Sequence, residues 1–133
     1  MAKELTGRIL IIDDDPFFLR VLNRILSDEN FQVGTASECR EASELLRERS
    51  FDVIITDLRM PDEDGLTLLQ QIRTTGNDVP VIILTAYGEV DTYLAAMNAG
   101  ATEYLSKPIK SDELLAIVRS CLHSRLATRK AAR

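Results

Sequence analysis

The chain has 133 residues, 45% hydrophobic and 28% charged, which suits one domain with its own core and excludes disordered and membrane-embedded classes. Its net charge of -5, from 21 acidic against 16 basic residues, lacks the basic footprint of a nucleic-acid-binding domain. Apolar runs such as Val81 to Leu84 fall far short of the roughly 18 to 20 residues that span a bilayer, and the polar start from Met1 to Gly7 has no signal-peptide pattern, so a cytoplasmic home with no membrane partner is expected.

In chain order, Ile9 to Ile12 reads as a strand buried on both faces, and it runs into Asp13-Asp14-Asp15. Asp15 followed by Pro16 reads as an N-cap and first helical residue, opening a helix with Phe18, Leu22, Ile25 and Leu26 on one face. A weaker, edge-type strand is expected at Phe31-Gln32-Val33, then a helix carrying Ala42, Leu45 and Leu46. Val53 to Ile55 is a second buried run, followed closely by Asp57. In Asp62-Glu63-Asp64-Gly65, Asp64 reads as the cap of the next helix and Gly65 as a turn residue, because EF-hand ligand spacing is absent. That helix carries Leu66, Leu69 and Ile72, and Gly76 stands where a C-terminal cap belongs.

Val81 to Leu84 is the third buried run and leads to Thr85. Val90, Leu94 and Met97 mark a fourth helix, where Ala95, Ala96 and Ala99 allow close packing before a cap at Gly100. Glu103-Tyr104-Leu105 is a second edge-type strand, followed by Lys107-Pro108. A fifth helix begins after Ser111 as N-cap, has Asp112 and Glu113 in its first turn, and carries Leu114, Leu115, Ile117, Val118, Cys121 and Leu122. Beyond it Arg125, Arg129, Lys130 and Arg133 form a basic end, read as a linker stub or frayed helix. The expected division is a domain over 1–124 and a tail over 125–133. Cys39 and Cys121 have neither CxxC spacing nor disulfide density, so both are read as buried apolar residues. His123 lacks ligand-spaced partners for zinc or for a Ser/His/Asp mechanism.

Five strands alternating with five helices imply right-handed crossovers and a parallel sheet, the doubly wound α/β class. Ligands of such sheets bind beyond the carboxyl ends of the strands, and every special polar residue falls at that edge: Asp13, Asp14, Asp57, Thr85 and Lys107. In a strand order of 2-1-3-4-5, Asp57 is central, with neighbouring strands about 4.8 Å apart. Two carboxylates about 5 Å apart repel by on the order of 3 kcal/mol at an effective dielectric near 20, so the cluster wants a cation. Oxygen ligands without histidine or thiolate select a hard ion, and a few carboxylates with water suit Mg2+. A carboxylate can attack phosphorus once metal and lysine neutralise the incoming oxygens; Thr85 would donate to one of those oxygens and Lys107 would clamp the group.

These residues resemble the response regulator receiver family over about residues 7 to 123. The likeness is carried by Ile11-Ile12-Asp13-Asp14-Asp15, by Asp57 with Met60-Pro61 and Gly65, by Leu84-Thr85-Ala86, by Gly100-Ala101, and by Tyr104 with Lys107-Pro108. The resemblance implies a flavodoxin-like (βα)5 fold, Asp57 as phosphoacceptor, and Mg2+ held by Asp14, Asp57 and the Arg59 backbone carbonyl, with Asp13 acting through water. It further implies Thr85 and Tyr104 as a switch pair, Lys107 as the phosphate-binding lysine, and a cis Lys107-Pro108 bond. Its implied partners are a histidine kinase or phosphotransfer protein, an output domain or downstream protein, and a second copy through the fourth helix, fifth strand and fifth helix. Arg59 and Tyr87 occupy variable positions beside the phosphoryl site, and Glu63 stands where relatives often carry methionine.

An aspartate-nucleophile phosphatase would need a second acid two residues after its nucleophile, where Arg59 stands. An electron carrier of flavodoxin type would present hydroxyls and glycines to its phosphate, and Asp13-Asp14-Asp15 would repel one. A degenerate receiver acting as a phosphorylation-independent binding module is the remaining alternative; its usual mark, a missing acceptor, acid or lysine, is absent here. The expected role is thus a signalling phosphoacceptor, an enzyme at most in its own phosphorylation and dephosphorylation.

Overall fold

The computed structural model describes residues 6–86 and 90–131, with side chains as far as Arg125 in the last helix; Tyr87, Arg133 and the side chains of Arg129 and Lys130 lie outside that description. The elements are β1 (Arg8–Ile12), α1 (Pro16–Asp28), β2 (Gln32–Ala36), α2 (Cys39–Glu48), β3 (Val53–Thr56), α3 (Gly65–Thr74), β4 (Val81–Thr85), α4 (Val90–Asn98), β5 (Glu103–Ser106) and α5 (Ser111–Ala131). All strand pairs are parallel, in the order β2-β1-β3-β4-β5. The doubly wound class and the order expected of the sequence are both present.

Strand alternation divides the core. Leu10, Ile12, Ile54, Val81 and Ile83 pack under α2, α3 and α4 with Ala42, Leu68, Leu69 and Ala96. Ile9, Ile11, Val53, Ile55, Ile82 and Leu84 face α1 and α5 with Leu22, Leu26, Leu114 and Val118. Each such side chain contributes roughly 1.5 to 3 kcal/mol by leaving water, which explains why β1, β3 and β4 are continuous apolar runs.

Asp15 caps α1, its Oδ1 accepting the N–H of Phe17 at 3.0 Å and of Phe18 at 3.3 Å, with Pro16 in the first turn. Asp64 caps α3 through the Thr67 N–H at 2.9 Å. Gly76 and Gly100 follow α3 and α4 with φ of 83° and 103°, in the left-handed region that side chains avoid. The Gly100 carbonyl accepts two bonds from Arg73, at 3.1 and 2.8 Å, which ties α3 to the end of α4.

Three readings need correction. The second strand starts at Gln32 and runs to Ala36; Phe31 precedes it as a core residue. Ser111 is the first residue of α5, and the first helical carbonyl acceptor is that of Lys110, bonded by the Leu114 N–H at 3.0 Å. On α4 the packed residue is Ala96, while Val90 and Leu94 are 75% and 53% exposed and Met97 is also exposed. Their periodicity marked the helix but not its packed face, which carries Ala96, one of the alanines expected to allow close packing. The last helix, α5, runs past residue 124 to Ala131, and Arg125 lies 3.9 Å from Asp78. Cys39 and Cys121 are buried and free, as expected, and His123 is exposed.

Candidate functional site

The sheet ladder continues past the strand ends and fixes the acids. The Asp13 N–H donates to the Ala36 carbonyl at 3.0 Å, and the Asp57 N–H to the Ile12 carbonyl at 3.0 Å. Asp13 and Asp57 are therefore carried on backbone as regular as the strands themselves, and both are buried. Asp14 is exposed at the rim, yet carboxylate oxygens of Asp13, Asp14 and Asp57 lie within 4.8 Å of one another. The expected cluster is assembled.

Lys107 follows β5, and its N–H continues the β4–β5 ladder by donating to the Thr85 carbonyl at 2.9 Å. The Lys107-Pro108 bond is cis. Its ammonium donates to Asp13 Oδ2 at 2.6 Å and to Asp57 Oδ2 at 3.0 Å, and it sits 4.2 Å from the centre of the Phe18 ring. The ring face is electron-rich and suits a cation. Sequence reading assigned Phe18 only to a helix face; its position one turn beyond the Asp15 cap, beside the acidic run, is the signal that could have found it.

One ammonium serves two buried carboxylates, with Asp14 near. Burial pushes the Asp13 carboxyl above its ordinary value, against the lowering contributed by Lys107 and by the Asp15 N–H. Burial disfavours the Lys107 charge, but its hydrogen bonds and charge contacts with Asp13 and Asp57 outweigh this and move it up as well. The ammonium gains from the contact while Asp13 remains short of positive charge, as expected when one cation is shared.

Asp57 Oδ1 accepts the Leu58 N–H at 2.6 Å and the Arg59 N–H at 3.3 Å, so the start of the β3–α3 loop folds around the Asp57 carboxylate. Gly65 closes that loop by donating to the Leu58 carbonyl at 2.7 Å. A Cβ there would stand 2.4 Å from the Asp57 carbonyl oxygen. Gly65 is required by close approach of α3 to the Asp57 backbone, a different reason from the turn conformation expected. Asp62 was passed over by sequence reading. Its Oδ1 accepts the Cys39 N–H at 3.0 Å and its Oδ2 the Arg40 N–H at 2.9 Å, capping α2 from another loop. Glu63 turns its side chain to Gln71 and touches none of the acids.

Thr85 ends β4, fully buried, and pairs with Ser106; Tyr104 pairs with Ile83 two residues back. Strand alternation puts Thr85 and Tyr104 on the same sheet face as diagonal neighbours. The Tyr104 hydroxyl is hydrogen-bonded to Thr92 of α4 at 2.7 Å, and its ring meets Tyr93 edge-on at 5.5 Å. Tyr104 is thus coupled to α4. Arg59 is exposed beside the acids.

This fold and this edge define a class of α/β domain with an acidic, lysine-capped centre. The family model for the response regulator receiver domain matches residues 9–119, and the chain belongs to that family, part of two-component signalling. The chain is 42% identical over 113 residues to the alginate biosynthesis transcriptional regulatory protein AlgB of Pseudomonas aeruginosa, covering 85% of this chain and 25% of AlgB. It is 41% identical over 115 residues to the response regulator MprA of Mycolicibacterium vanbaalenii, covering 86% of this chain and 50% of MprA. The chain therefore spans a quarter to a half of these curated relatives. Among solved structures it is similar to the beryllofluoride-activated NtrC4 receiver domain dimer, with a TM-score of 0.83 and 34% identity over 88% of this chain and 97% of that one. Among the described residues no helix is long and apolar enough to cross a membrane.

Proposed function

We propose that the chain is a phosphorylation-activated switch in which Asp57 accepts a phosphoryl group from a histidine kinase or phosphotransfer protein. The observation that carries this is the joint placement of Asp13, Asp14 and Asp57 oxygens within 4.8 Å, with the Lys107 ammonium 3.0 Å from Asp57. In the transfer, an Asp57 oxygen forms the new bond to phosphorus while the donor's bond to phosphorus breaks, and the donor leaves with that electron pair. The oxygen-only donor set fits a hard divalent ion. Asp14, Asp57 and the Arg59 carbonyl would hold Mg2+, Asp13 would reach it through water, and the ion would neutralise phosphoryl charge. Lys107 would move from the two carboxylates onto a phosphoryl oxygen, a charge-assisted contact, and Thr85 would donate to another.

The output is read at α4, β5 and α5. A phosphoryl group brings about -1.5 to -2 charge and three acceptor oxygens, which draws Thr85 inward, and Tyr104 follows into the space. Partner binding or pairing with a second copy through this face is the expected response; that a beryllofluoride-activated NtrC4 receiver domain is a dimer supports pairing as such by analogy. The switch spans residues 1–124, and the helical continuation from 125 is the connection toward an output domain such as the relatives' greater lengths allow for. The alternative, a phosphorylation-independent binding module, has no residue in its favour, since acceptor, acids and lysine are all present. Treatment with acetyl phosphate and Mg2+, followed by intact-mass measurement, decides: wild type gains one phosphoryl mass and Asp57→Ala does not. Equal gain in both, or none in either, overturns the assignment of Asp57.

A further inference from the structure

The N-terminus of α2 has no cap of its own: the side chain of Glu38, at the N-cap position, makes no capping bond and turns to Arg40 Nη2 at 3.3 Å. The cap comes from Asp62, with both carboxylate oxygens engaged by the Cys39 and Arg40 N–H groups. The same contact is reinforced by the Cys39 thiol, which donates to the Glu63 carbonyl at 3.4 Å. The backbone N–H bonds also hold the Asp62 carboxyl below the usual range although the residue is exposed.

The loop so anchored is the one that begins at Asp57 and carries Arg59. On its other side, the segment leading into α2 is bonded to the first acidic loop, through the Asp13 N–H to the Ala36 carbonyl at 3.0 Å. Ser37 holds the turn between them by donating its N–H to Glu41 at 2.7 Å. The start of α2 is therefore a brace between the loop of Asp13 and Asp14 and the loop of Asp57 and Arg59, and Asp62 is the side chain that closes it.

We propose that Asp62 is a positioning residue for cation binding at the acidic edge: by capping α2 it fixes the loop that presents the Arg59 carbonyl beside Asp57. This rests on the reading of Asp14, Asp57 and the Arg59 carbonyl as the metal's ligands. Asp62 touches no ion itself. Its effect passes through backbone position, so a side chain that keeps one acceptor retains much of it.

The test is a Mg2+ titration of the whole chain followed by amide NMR, for wild type, Asp62→Ala, Asp62→Asn, Glu38→Ala and Asp57→Ala, with thermal unfolding of each measured without Mg2+. Asp62→Ala is expected to bind Mg2+ about three- to five-fold more weakly, a fraction of what an N-cap contributes. Asp62→Asn falls between it and wild type, and Glu38→Ala matches wild type. In wild type the Cys39 and Arg40 amides shift as Mg2+ is added, and in Asp62→Ala they do not. A cap that serves only α2 would lower the unfolding temperature of Asp62→Ala while leaving Mg2+ affinity and those Mg2+-dependent shifts as in wild type; that result overturns the proposal alone. Unchanged Mg2+ binding in Asp57→Ala, or none in wild type, overturns the ligand reading and this proposal with it.

Discussion

Asp13 and Asp57 are 2% and 5% exposed, and their carboxylates are met by Lys107 and by backbone N–H groups. The outer face of α4, beyond β4 on the same sheet, shows the reverse: Val90, Tyr93, Leu94 and Met97 are apolar or aromatic and exposed, while Ala96 is the helix's buried residue. Buried charge held by several partners is expensive to disturb. A helix seated on one small side chain is cheap to shift, because little apolar area is lost when it moves. The pairing suits the proposed switch, with the acids on regular backbone and α4 more lightly seated, and the Tyr104 hydrogen bond to Thr92 ties α4 to β5.

The largest expected effect breaks the rigid side. Lys107→Ala leaves two buried carboxylates without their shared ammonium, and the stability measured by urea without Mg2+ should fall by about 3 kcal/mol. Added Mg2+ should recover part of that loss. An unchanged urea midpoint would mean that the edge is relaxed and solvated in solution.

Gly65→Ala attacks the same region through backbone. Its Cβ would lie 2.4 Å from the Asp57 carbonyl oxygen, so α3 or the loop after β3 must retreat, at about 1 to 3 kcal/mol, the usual cost of overpacking. Urea unfolding gives the cost, and the Asp57 phosphorylation yield with acetyl phosphate should drop with it. Full stability with full yield would show that the loop has slack.

Thr92→Val tests the joint between α4 and β5. The Tyr104 hydroxyl loses its 2.7 Å partner, worth about 1 kcal/mol, and the Tyr104 ring should broaden in NMR as α4 loosens. A sharp, unshifted ring would leave α4 coupled to β5 by packing alone.

On the soft side, Leu94→Gln should change urea stability by less than about 0.5 kcal/mol, as for a surface site. A larger loss, together with a smaller sedimentation coefficient than wild type, would show that this face is covered by a second copy in solution.

The smallest effect is expected at Cys39, behind the acidic edge. Burial, reinforced by the charges of Asp62, Glu63, Asp64 and Glu38, pushes its thiol from 9.0 up to about 12. A raised value means that the fold favours the neutral thiol, so this contribution to stability is complete below pH 9 and is lost as pH climbs toward 12. Iodoacetamide at pH 8 should leave Cys39 unmodified in native protein and alkylate it in urea; rapid native alkylation would show that the α2 N-terminus opens.

The strands buried on both faces are legible in the sequence, since only continuous apolar runs such as Ile9 to Ile12 and Val81 to Leu84 tolerate helices on both sides. So are the caps at Asp15 and Asp64, because an N-cap acts on the two or three residues that follow it. The acids and the lysine were legible because parallel topology brings every strand's carboxyl end to one edge. Tertiary structure alone decided what depends on residues distant in sequence. Asp62 caps a helix that begins 23 positions earlier, Gly65 is small because the Asp57 carbonyl lies against it, and Lys107 rests on Phe18 across the sheet edge. The face of α4 that packs was decided there too: helical period shows that a stripe exists, but Ala96 is buried and Leu94 is not because of where the rest of the chain sets the helix on the sheet.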